Sequence, residues 1–353
     1  MYHYHMKEHE VKEKVELLTN NGTLTEEGWA RHPLFNYDRE KIKASKLRIK
    51  EWDYYTILNK EKEYALCLTF SDLGFGSLYA AGFVDYKRSK AVQQDFMRFF
   101  TLHKTGLKSS SLDESYLTCS NEDKFTFTFI TKGERIFITL SAPTLTLPDG
   151  SVGVHADITL ERKVSKESIN IATSWKENRR AFYLNEKVAG MKASGTISFA
   201  NRIDNLEEDN ATGILDWGRG RWTRSNRWYW ASASGFSEDG IPIALNLGYG
   251  FSDRTPASEN AFFLGDKLHK IGLCTFTMPK DLNDKWIMRD EEGKLDLTFT
   301  PSAPRCSKTN LLLIVSEQKQ IFGYFDGTVT LEDGTIFKIN HLMGFAEDVY
   351  NRW

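Results

Sequence analysis

The chain has 353 residues, and its 46 lysines and arginines nearly balance 48 aspartates and glutamates, which gives a formal net charge of −2 at pH 7. A field this weak offers no general attraction to nucleic acid or anionic lipid, so we predict no nucleic-acid partner. The length exceeds that of a usual single domain, so we expect two domains, with one large β domain as the alternative.

The cysteines and the N-terminus both indicate a cytoplasmic protein. Cys67, Cys119, Cys274 and Cys306 form no CxxC pair, which argues against a metal site or a disulfide framework and favours buried free thiols. The polar N-terminus lacks the apolar core of a secretion signal, and no aliphatic run is long enough to cross a bilayer. We therefore predict no transmembrane segment, no metal and no cofactor.

The first predicted element is a short amphipathic helix over residues 6–18, where Val11, Val15 and Leu18 follow a helical spacing. Short segments rich in Val, Ile, Thr, Tyr and Phe follow it, and Gly, Asp and Asn separate them. KFTFTFIT at 124–131 has a period of two, with phenylalanines on one face. This pattern predicts an antiparallel all-β fold.

The strands are numerous enough for two curled sheets. Pro148-Asp149-Gly150, Glu238-Asp239-Gly240 and Glu332-Asp333-Gly334 each place glycine where a tight turn favours positive φ. A long antiparallel sheet must curl to protect its edges, which indicates barrels or sandwiches. We place the boundary at residue 195, so the predicted domains are 1–195 and 196–353.

The stretch DWGRGRWTRSNRWYWAS at 216–232 contains four tryptophans and four arginines. If residues 227–234 form a strand, Trp228 and Trp230 point to one side together with two serines, as in the wall of an aromatic-lined cavity. A filled core is the alternative. No P-loop, HExxH or GxSxG motif is present, so nucleotide hydrolysis, zincin proteolysis and the usual hydrolase elbow have no support.

The residues before that strand read as a glycine-rich loop in which arginines surround Asp216. Arginine is rarely buried without a carboxylate, so the cluster predicts a solvated rim or a network of ion pairs and cation–π contacts. A single-stranded nucleic-acid site would also combine arginine and tryptophan, but the net charge argues against it.

A second polar segment, NLGYGFSDRTPASENAFF at 246–263, follows the expected hairpin partner of the tryptophan strand. Both loops would lie at one end of the sheet, where converging polar groups form a site; an ordinary hydrogen-bonded loop is the alternative. The predicted catalytic residues are Asp216, Asp253 and Glu259. The predicted ligand-binding residues are Trp217, Arg219, Arg221, Trp222, Arg227, Trp228, Trp230, Tyr249 and Asn260.

Several segments resemble the landmarks of a bacterial and fungal family known only as a domain of unknown function, number 2804, and the resemblance spans essentially the whole chain. They are GTLTEEGWARHPLFNYDR, LDWGRGRW with RWYWASASG, NLGYGFSD with SENAFF, and GYFDGTVTLEDG with GFAEDVYNRW. The resemblance implies family membership and no particular chemistry.

The order of a D-x-x-x-G turn, a W-x-W strand and a D-G turn is more remotely similar to that of the carotenoid hydratase and tocopherol cyclase-like proteins. That resemblance implies two lipocalin-like barrels and acid-catalysed hydration or cyclisation of an isoprenoid. Asp216 and Gly220 match the D-H-E-W-G segment typical of those proteins, whereas Trp217 and Arg219 replace its histidine and tryptophan. This difference puts the hydration chemistry itself in question.

We therefore expect an enzyme, or an enzyme-derived binder, that acts on a hydrophobic, isoprenoid- or lipid-like small molecule with a polar or acidic head. Trp228 and Trp230 would line the apolar part, and Arg219 and Arg221 would hold the head. Asp216 would be the proton donor for hydration, isomerisation or cyclisation, or the acid that orients the reacting groups. The alternatives are a non-catalytic carrier of small molecules and a structural role for the arginines and tryptophans.

Overall fold

The computed structural model describes residues 8–101, 103–311 and 314–352, and almost all of the regular structure there is β-strand. Arg39–Lys41 and Lys46–Arg48 are single turns of 3-10 helix. No helix within the described ranges is long and apolar enough to cross a membrane. The predicted all-β class is confirmed.

The strands are arranged in one small parallel pair and two large antiparallel sheets. In chain order they are β1 (Val15–Glu16), β2 (Gly28–Ala30), β3 (Phe35–Asn36), β4 (Ile49–Asn59), β5 (Tyr64–Asp72), β6 (Gly76–Asp85), β7 (Lys90–Phe99), β8 (Ser115–Asn121), β9 (Phe125–Lys132), β10 (Arg135–Thr146), β11 (Val152–Glu161), β12 (Ile169–Trp175), β13 (Asn178–Phe199), β14 (Ile203–Asn205), β15 (Thr212–Arg221), β16 (Ser225–Phe236), β17 (Pro242–Tyr249), β18 (Ala261–Leu264), β19 (Lys267–Lys270), β20 (Cys274–Thr277), β21 (Trp286–Asp290), β22 (Leu295–Leu311), β23 (Ile314–Thr330) and β24 (Ile336–Arg352).

The first sheet follows the order β7-β6-β5-β4-β15-β13-β11-β10-β9-β8, with β12 and β14 also paired to β13 and β2 paired to β12. It curls around its own apolar core. Strand β9 shows the predicted period of two, because its three phenylalanines are buried on the inner face and the rings of Phe127 and Phe129 lie 4.7 Å apart. Burial of large aromatic side chains on one face of each strand drives this curling.

The second sheet follows the order β19-β18-β17-β16-β24-β23-β22-β21-β20 and encloses a separate core. Trp286, Phe299 and Phe325 lie at its centre. The ring centroid of Phe299 is 5.7 Å from that of Trp286 and 4.7 Å from that of Phe325. The prediction of two barrel-like antiparallel sheets is therefore confirmed.

A third apolar core lies between the sheets. Strands β13 and β15 of the first sheet contact β16 of the second, and β13 also contacts β17. Side chains from both sheets meet there, including Tyr54, Ile214, Trp230, Phe322 and Phe345. Strands β4, β13 and β15 are therefore buried on both faces, since one face supports the first core and the other supports this shared one.

The N-terminal segment is extended, so the predicted helix over residues 6–18 is wrong for residues 8–18; residues 6 and 7 lie outside the described residues. Strand β1 pairs in parallel with β3, and Glu10 forms a bridge with Trp29. Val11 and Leu18 are buried against the first core. A short helix is marginal on its own, so pairing with the sheet region outweighs its periodicity.

The chain passes from the first sheet to the second at residues 222–224, since β15 ends at Arg221 and β16 begins at Ser225. The boundary expected at residue 195 falls inside β13. Gly195 has a φ of 96° beside the Asp157 carbonyl group, so this glycine permits close strand packing and does not mark a linker. The division into domains 1–195 and 196–353 stays a prediction.

The predicted glycine turns are confirmed. Gly150, Gly240 and Gly334 have φ values of 86°, 72° and 85°, in the left-handed region that favours glycine. Each amide donates a hydrogen bond back across its turn. The four cysteines are free, and all but Cys306 are buried.

Candidate functional site

A cluster of charged side chains is buried between the two sheets, with the ammonium group of Lys187 at its centre. Lys187 on β13 and Asp216 on β15 are directly opposite each other in the ladder. The Lys187 Nζ lies 2.8 Å from the Asp216 Oδ1, and the Asn185 Nδ2 donates to the same oxygen at 2.7 Å. The first sheet therefore presents an oriented carboxylate and its counter-ion to the second.

The second sheet covers this ion pair with an indole ring. The Lys187 Nζ lies 3.8 Å from the ring centroid of Trp230 on β16, a distance typical of a cation–π contact. The Trp230 Nε1 donates to the Asn246 Oδ1 at 2.7 Å, which fixes the ring. A contact between a desolvated cation and an indole thus joins the two sheets.

Glu259 approaches the same ammonium from the segment between β17 and β18. Its Oε2 lies 3.7 Å from the Lys187 Nζ, and its backbone carbonyl accepts a hydrogen bond of 2.9 Å from the Asn246 Nδ2. The glycine at position 248 makes room for it, because a Cβ there would collide with the Glu259 carboxyl group. The site therefore requires a residue without a side chain at position 248 of β17.

A third carboxyl group, that of Glu347 on β24, lies beside Trp230, since the two residues are opposite in the β16–β24 ladder. The Gln320 Nε2 donates to the Glu347 Oε1 at 2.6 Å, and the indole of Trp228 also hydrogen-bonds this carboxyl group. Gln320 is held in turn by Arg305, whose Nη1 donates to the Gln320 Oε1 at 2.6 Å. The carboxyl group is oriented from two sides.

Burial raises the pKa of two of these carboxyl groups. The pKa of Glu347 rises to about 7 because burial opposes its charge and Asp216 adds repulsion, although Lys187 and Arg305 act against the shift. The pKa of Glu259 is raised for the same first reason, with Lys187 opposing and Asp216 reinforcing the shift. At neutral pH the Glu347 carboxyl group is therefore partly protonated.

An aromatic cluster adjoins the carboxyl groups and leads toward solvent. Phe251 lies at its centre, with ring centroids at 4.7 Å from Tyr183, 4.8 Å from Trp222, 5.0 Å from Trp175 and 5.4 Å from Trp228. Phe251 and Trp228 are partly exposed. Because Trp228 also bonds Glu347, this surface is continuous with the charged cluster.

The structure brings together four of the predicted residues, which are Asp216, Glu259, Trp228 and Trp230. Trp222 joins them through the aromatic cluster. The alternation predicted for the tryptophan strand is found, but its indole face lies between the sheets and does not line a barrel interior. A cavity of about 800 Å³ lies elsewhere, between residues 32–37 and 109–113.

Arg219 and Trp217 lie on the opposite face of β15 from Asp216, inside the first sheet. The segment read as a loop is strand β15, where glycine at position 218 accommodates the ring of Trp52. Arg219 is fully buried, and its guanidinium lies 4.1 Å from the Trp217 ring centroid and 3.0 Å from the Asp53 Oδ1. It therefore cannot hold a ligand that contacts Asp216.

The remaining predicted residues make structural contacts away from Lys187. Arg227 pairs with Asp348, Tyr249 stacks on Tyr229 at 4.6 Å, and Asn260 bonds the backbone of Gly248 and Gly272. Asp253 caps its own loop. Burial alone would raise the pKa of Asp253. Hydrogen bonds from Thr255 and from Arg179 hold this pKa below its usual value. Arg221 lies at the rim of the first sheet.

A family model matches residues 8–353, which is nearly the whole chain. The chain belongs to the family described as Domain of unknown function (DUF2804). The membership predicted from the sequence segments is confirmed. No curated protein matches the sequence.

Solved structures with a similar arrangement are distant in sequence. One is a Nitrosomonas europaea protein provisionally described as AttH, with 12% identity and a TM-score of 0.45 over 90% of this chain and 98% of that one. Kievitone hydratase from Nectria haematococca has 12% identity and a TM-score of 0.46, over 86% of this chain and 88% of its own. CghA with Sch210972 has 9% identity and a TM-score of 0.49, over 87% and 89%. Likenesses this low carry no argument about chemistry.

Sequence reasoning missed Lys187 and Glu347. The signal for Lys187 is a lysine inside the apolar strand sequence AFYLNEKVAG, where burial of an unpaired ammonium would be costly. The signal for Glu347 is the pairing of the tryptophan strand with β24, which no local pattern contains. Glu347 becomes visible only through Trp230, its partner in the ladder.

Proposed function

We propose that this chain is an enzyme that carries out acid–base chemistry on a hydrophobic small molecule bound between the two sheets. The observation that carries the proposal is the convergence of the Asp216 and Glu259 carboxyl groups on the Lys187 ammonium group, with the Glu347 carboxyl group beside the indole that covers it. In the described part of the chain, the positive charges of this cluster are Lys187 and, beside Glu347, Arg305, so full ionisation of Asp216, Glu259 and Glu347 would leave an excess of buried negative charge. Retained protons reduce that excess, and such protons are available for transfer.

Glu347 has the properties of the proton donor and acceptor. A pKa of about 7 means that both forms are populated at neutral pH, which is the condition for efficient general acid–base catalysis. Asp216 was expected to be either the proton donor or an orienting acid. Its ion pair with Lys187 favours the second role, in which the carboxylate orients the ammonium group.

The aromatic surface favours an apolar substrate. The face of the partly exposed Trp228 attracts positive charge, so it would stabilise a cationic intermediate formed when a carbon–carbon double bond is protonated. Protonation by Glu347 followed by loss of a proton elsewhere gives isomerisation. Attack by water followed by loss of a proton from the added oxygen gives hydration, and attack by a second double bond followed by loss of a proton gives cyclisation. These three outcomes share the same first step.

The test begins with protein purified from its own cells, because the substrate is unidentified. Native mass spectrometry and solvent extraction would identify a co-purifying apolar molecule, and incubation of that molecule with fresh enzyme would reveal a product of altered mass or retention time. We expect Glu347→Gln to lower turnover by about 10²- to 10⁴-fold and to retain binding. Asp348→Asn is the matched control, since Asp348 is adjacent on β24 but pairs with Arg227 away from the site.

A non-catalytic carrier of small molecules is the second candidate. The aromatic cluster around Phe251 favours this candidate, because it offers an apolar binding surface. For a carrier, the extracted molecule would bind tightly and remain chemically unchanged in every condition. Normal turnover by Glu347→Gln would instead contradict the assigned proton donor. The two results therefore separate a wrong function from a wrong residue.

A further inference from the structure

Three arginines on three neighbouring segments meet at one end of the first sheet. Arg221, the last residue of β15, is opposite Ile49 of β4 on one side and Phe182 of β13 on the other. Arg48 directly precedes β4, and its carbonyl accepts a hydrogen bond from the backbone amide of residue 222. Arg180 lies two residues before Phe182 and therefore on the same face of β13.

These arginines lack the carboxylate partners that the buried arginines of this chain have. The Nε and Nη1 atoms of Arg221 are shielded from solvent and have no hydrogen-bond partner. In the part of the chain that the structure describes, no ion pair joins Arg48, Arg180 or Arg221 to a carboxylate. Arg219, two residues away on the same face, makes four hydrogen bonds and pairs with Asp53.

The electrostatic surroundings of Arg221 lack a compensating negative charge. The pKa of Arg221 is lowered, first by burial and then by repulsion from Arg48 and Arg180. A guanidinium group that is partly desolvated beside two like charges is costly unless an anion joins them. Donor atoms held without an acceptor are the complement of an oxyanion.

An apolar surface adjoins the arginines. Trp222 follows Arg221 at the end of the strand, and its ring centroid lies 5.3 Å from that of Trp52 and 4.8 Å from that of Phe251. Because β15 ends here, residues on its two faces meet at the rim. A molecule with an anionic end and an apolar end can contact both.

We propose that Arg48, Arg180 and Arg221 bind the phosphate group of an organic phosphate ester. A phosphate monoester carries nearly two negative charges at pH 7 and three acceptor oxygens, so it satisfies three guanidinium groups better than a carboxylate does. The apolar part of the ester lies against the partly exposed rings of Trp52 and Phe251, which pack on the buried Trp222. The inference goes beyond the proposed function, since phosphate binding here requires no chemistry at Glu347.

Calorimetric titration of the full chain tests this site with inorganic phosphate, dodecyl phosphate and the neutral analogue dodecanol. We expect both phosphates to bind at one site, with dodecyl phosphate tighter, and Arg221→Gln to weaken both by about tenfold or more. Arg221→Lys, which keeps the charge and loses the planar fork, gives an intermediate loss. Arg224→Gln is the matched control, because this exposed arginine lies three residues further on and leaves the affinity unchanged.

Arg180→Gln guards against misfolding, since this exposed side chain can change without disturbing a core, and we expect it also to weaken phosphate binding. Vesicles of phosphatidylcholine with and without phosphatidic acid identify the source of the phosphate. Binding to the acidic vesicles that Arg221→Gln abolishes assigns a lipid head group, and binding of the soluble ester alone assigns a free metabolite. Absence of phosphate binding, or equal binding by wild type, Arg221→Gln and Arg180→Gln, overturns the proposal.

Discussion

Glu347 lies in surroundings that favour its protonated form. Its pKa of about 7 in the folded chain exceeds the ordinary value of 4.5, and burial is the largest cause. A carboxyl group that binds its proton more tightly in the folded state makes folding less favourable as the pH rises. The loss of stability begins near pH 4.5 and is complete above pH 7.

We expect Glu347→Gln, which resembles the protonated side chain, to reduce this dependence on pH. At pH 8 the variant should be more stable than wild type by up to roughly 3 kcal/mol, and near pH 4 the two should be equal. Urea unfolding at a series of pH values measures the difference. Glu122→Gln, at an exposed position, is the control. If Glu347→Gln and wild type had the same free energy of unfolding at every pH, the raised pKa of Glu347 would be contradicted.

Gly248 determines where the Glu259 carboxyl group can lie. Gly248→Ala should push this carboxyl group from Lys187 and destabilise the fold by about 1–3 kcal/mol, the range for overpacking. The double variant Gly248→Ala with Glu259→Ala should recover part of that loss, because the colliding group is gone. Chemical denaturation of all four forms gives the coupling energy, and strict additivity would show that the collision is not the cause.

At the residue scale, sequence reasoning identified side chains whose type is unusual and missed those whose position is unusual. Trp230 was found because tryptophan is rare and the period of two assigned its face. Glu347 has an ordinary type, and only its pairing with Trp230 across two strands distant in sequence makes it significant. Such a pairing depends on tertiary structure, which one sequence does not encode locally.

The two faces of strand β15 lie in two different apolar cores. Its even-numbered residues, including Asp216, face the core between the sheets, whereas Trp217 and Arg219 face the interior of the first sheet. Glycines in this segment were read as loop residues. They permit close contact instead, since Trp52 packs where a side chain of residue 218 would lie. Composition alone cannot distinguish a turn glycine from a packing glycine.

Two arginine–aspartate pairs allow a matched test of burial, Arg219 with Asp53 and Arg227 with Asp348. Their arginines lie on the consecutive strands β15 and β16. We expect Arg219→Ala to cost about 3–5 kcal/mol, because it leaves Asp53 buried without its counter-ion. Arg227→Ala should cost about 0–1 kcal/mol, since half of the Arg227 side chain is exposed and its pair with Asp348 is screened by solvent. Thermal and urea unfolding measure both. Similar costs would mean that burial does not decide the contribution of these pairs.

At the scale of the molecule, the shared core couples the two sheets. The cation–π contact of Lys187 with Trp230 and the hydrogen bond from the Tyr86 hydroxyl to the Gly344 carbonyl, 2.9 Å long, both cross between them. The sequence predicted two sheets correctly. Their meeting could not be inferred, because β15 was read as a glycine-rich loop and no local pattern shows that β13 is buried on both faces.

This coupling predicts that the sheets unfold together. Differential scanning calorimetry of the intact chain should show one transition, with calorimetric and van't Hoff enthalpies that agree. Lys187→Met, which removes the charge contact between the sheets, is expected to lower the midpoint of that transition. The exposed Lys267→Met serves as control. Two resolved transitions in the wild type would instead indicate two independent domains.

The position of β24 has a consequence for how the protein is made. The tryptophan strand β16 pairs with β17 immediately after synthesis, but its other edge has no partner until β24 is translated. During that interval an apolar strand edge is open to neighbouring chains, and late closure of distant strands slows folding. We therefore expect nascent chains that stall between residues 236 and 336 to be those that require a chaperone.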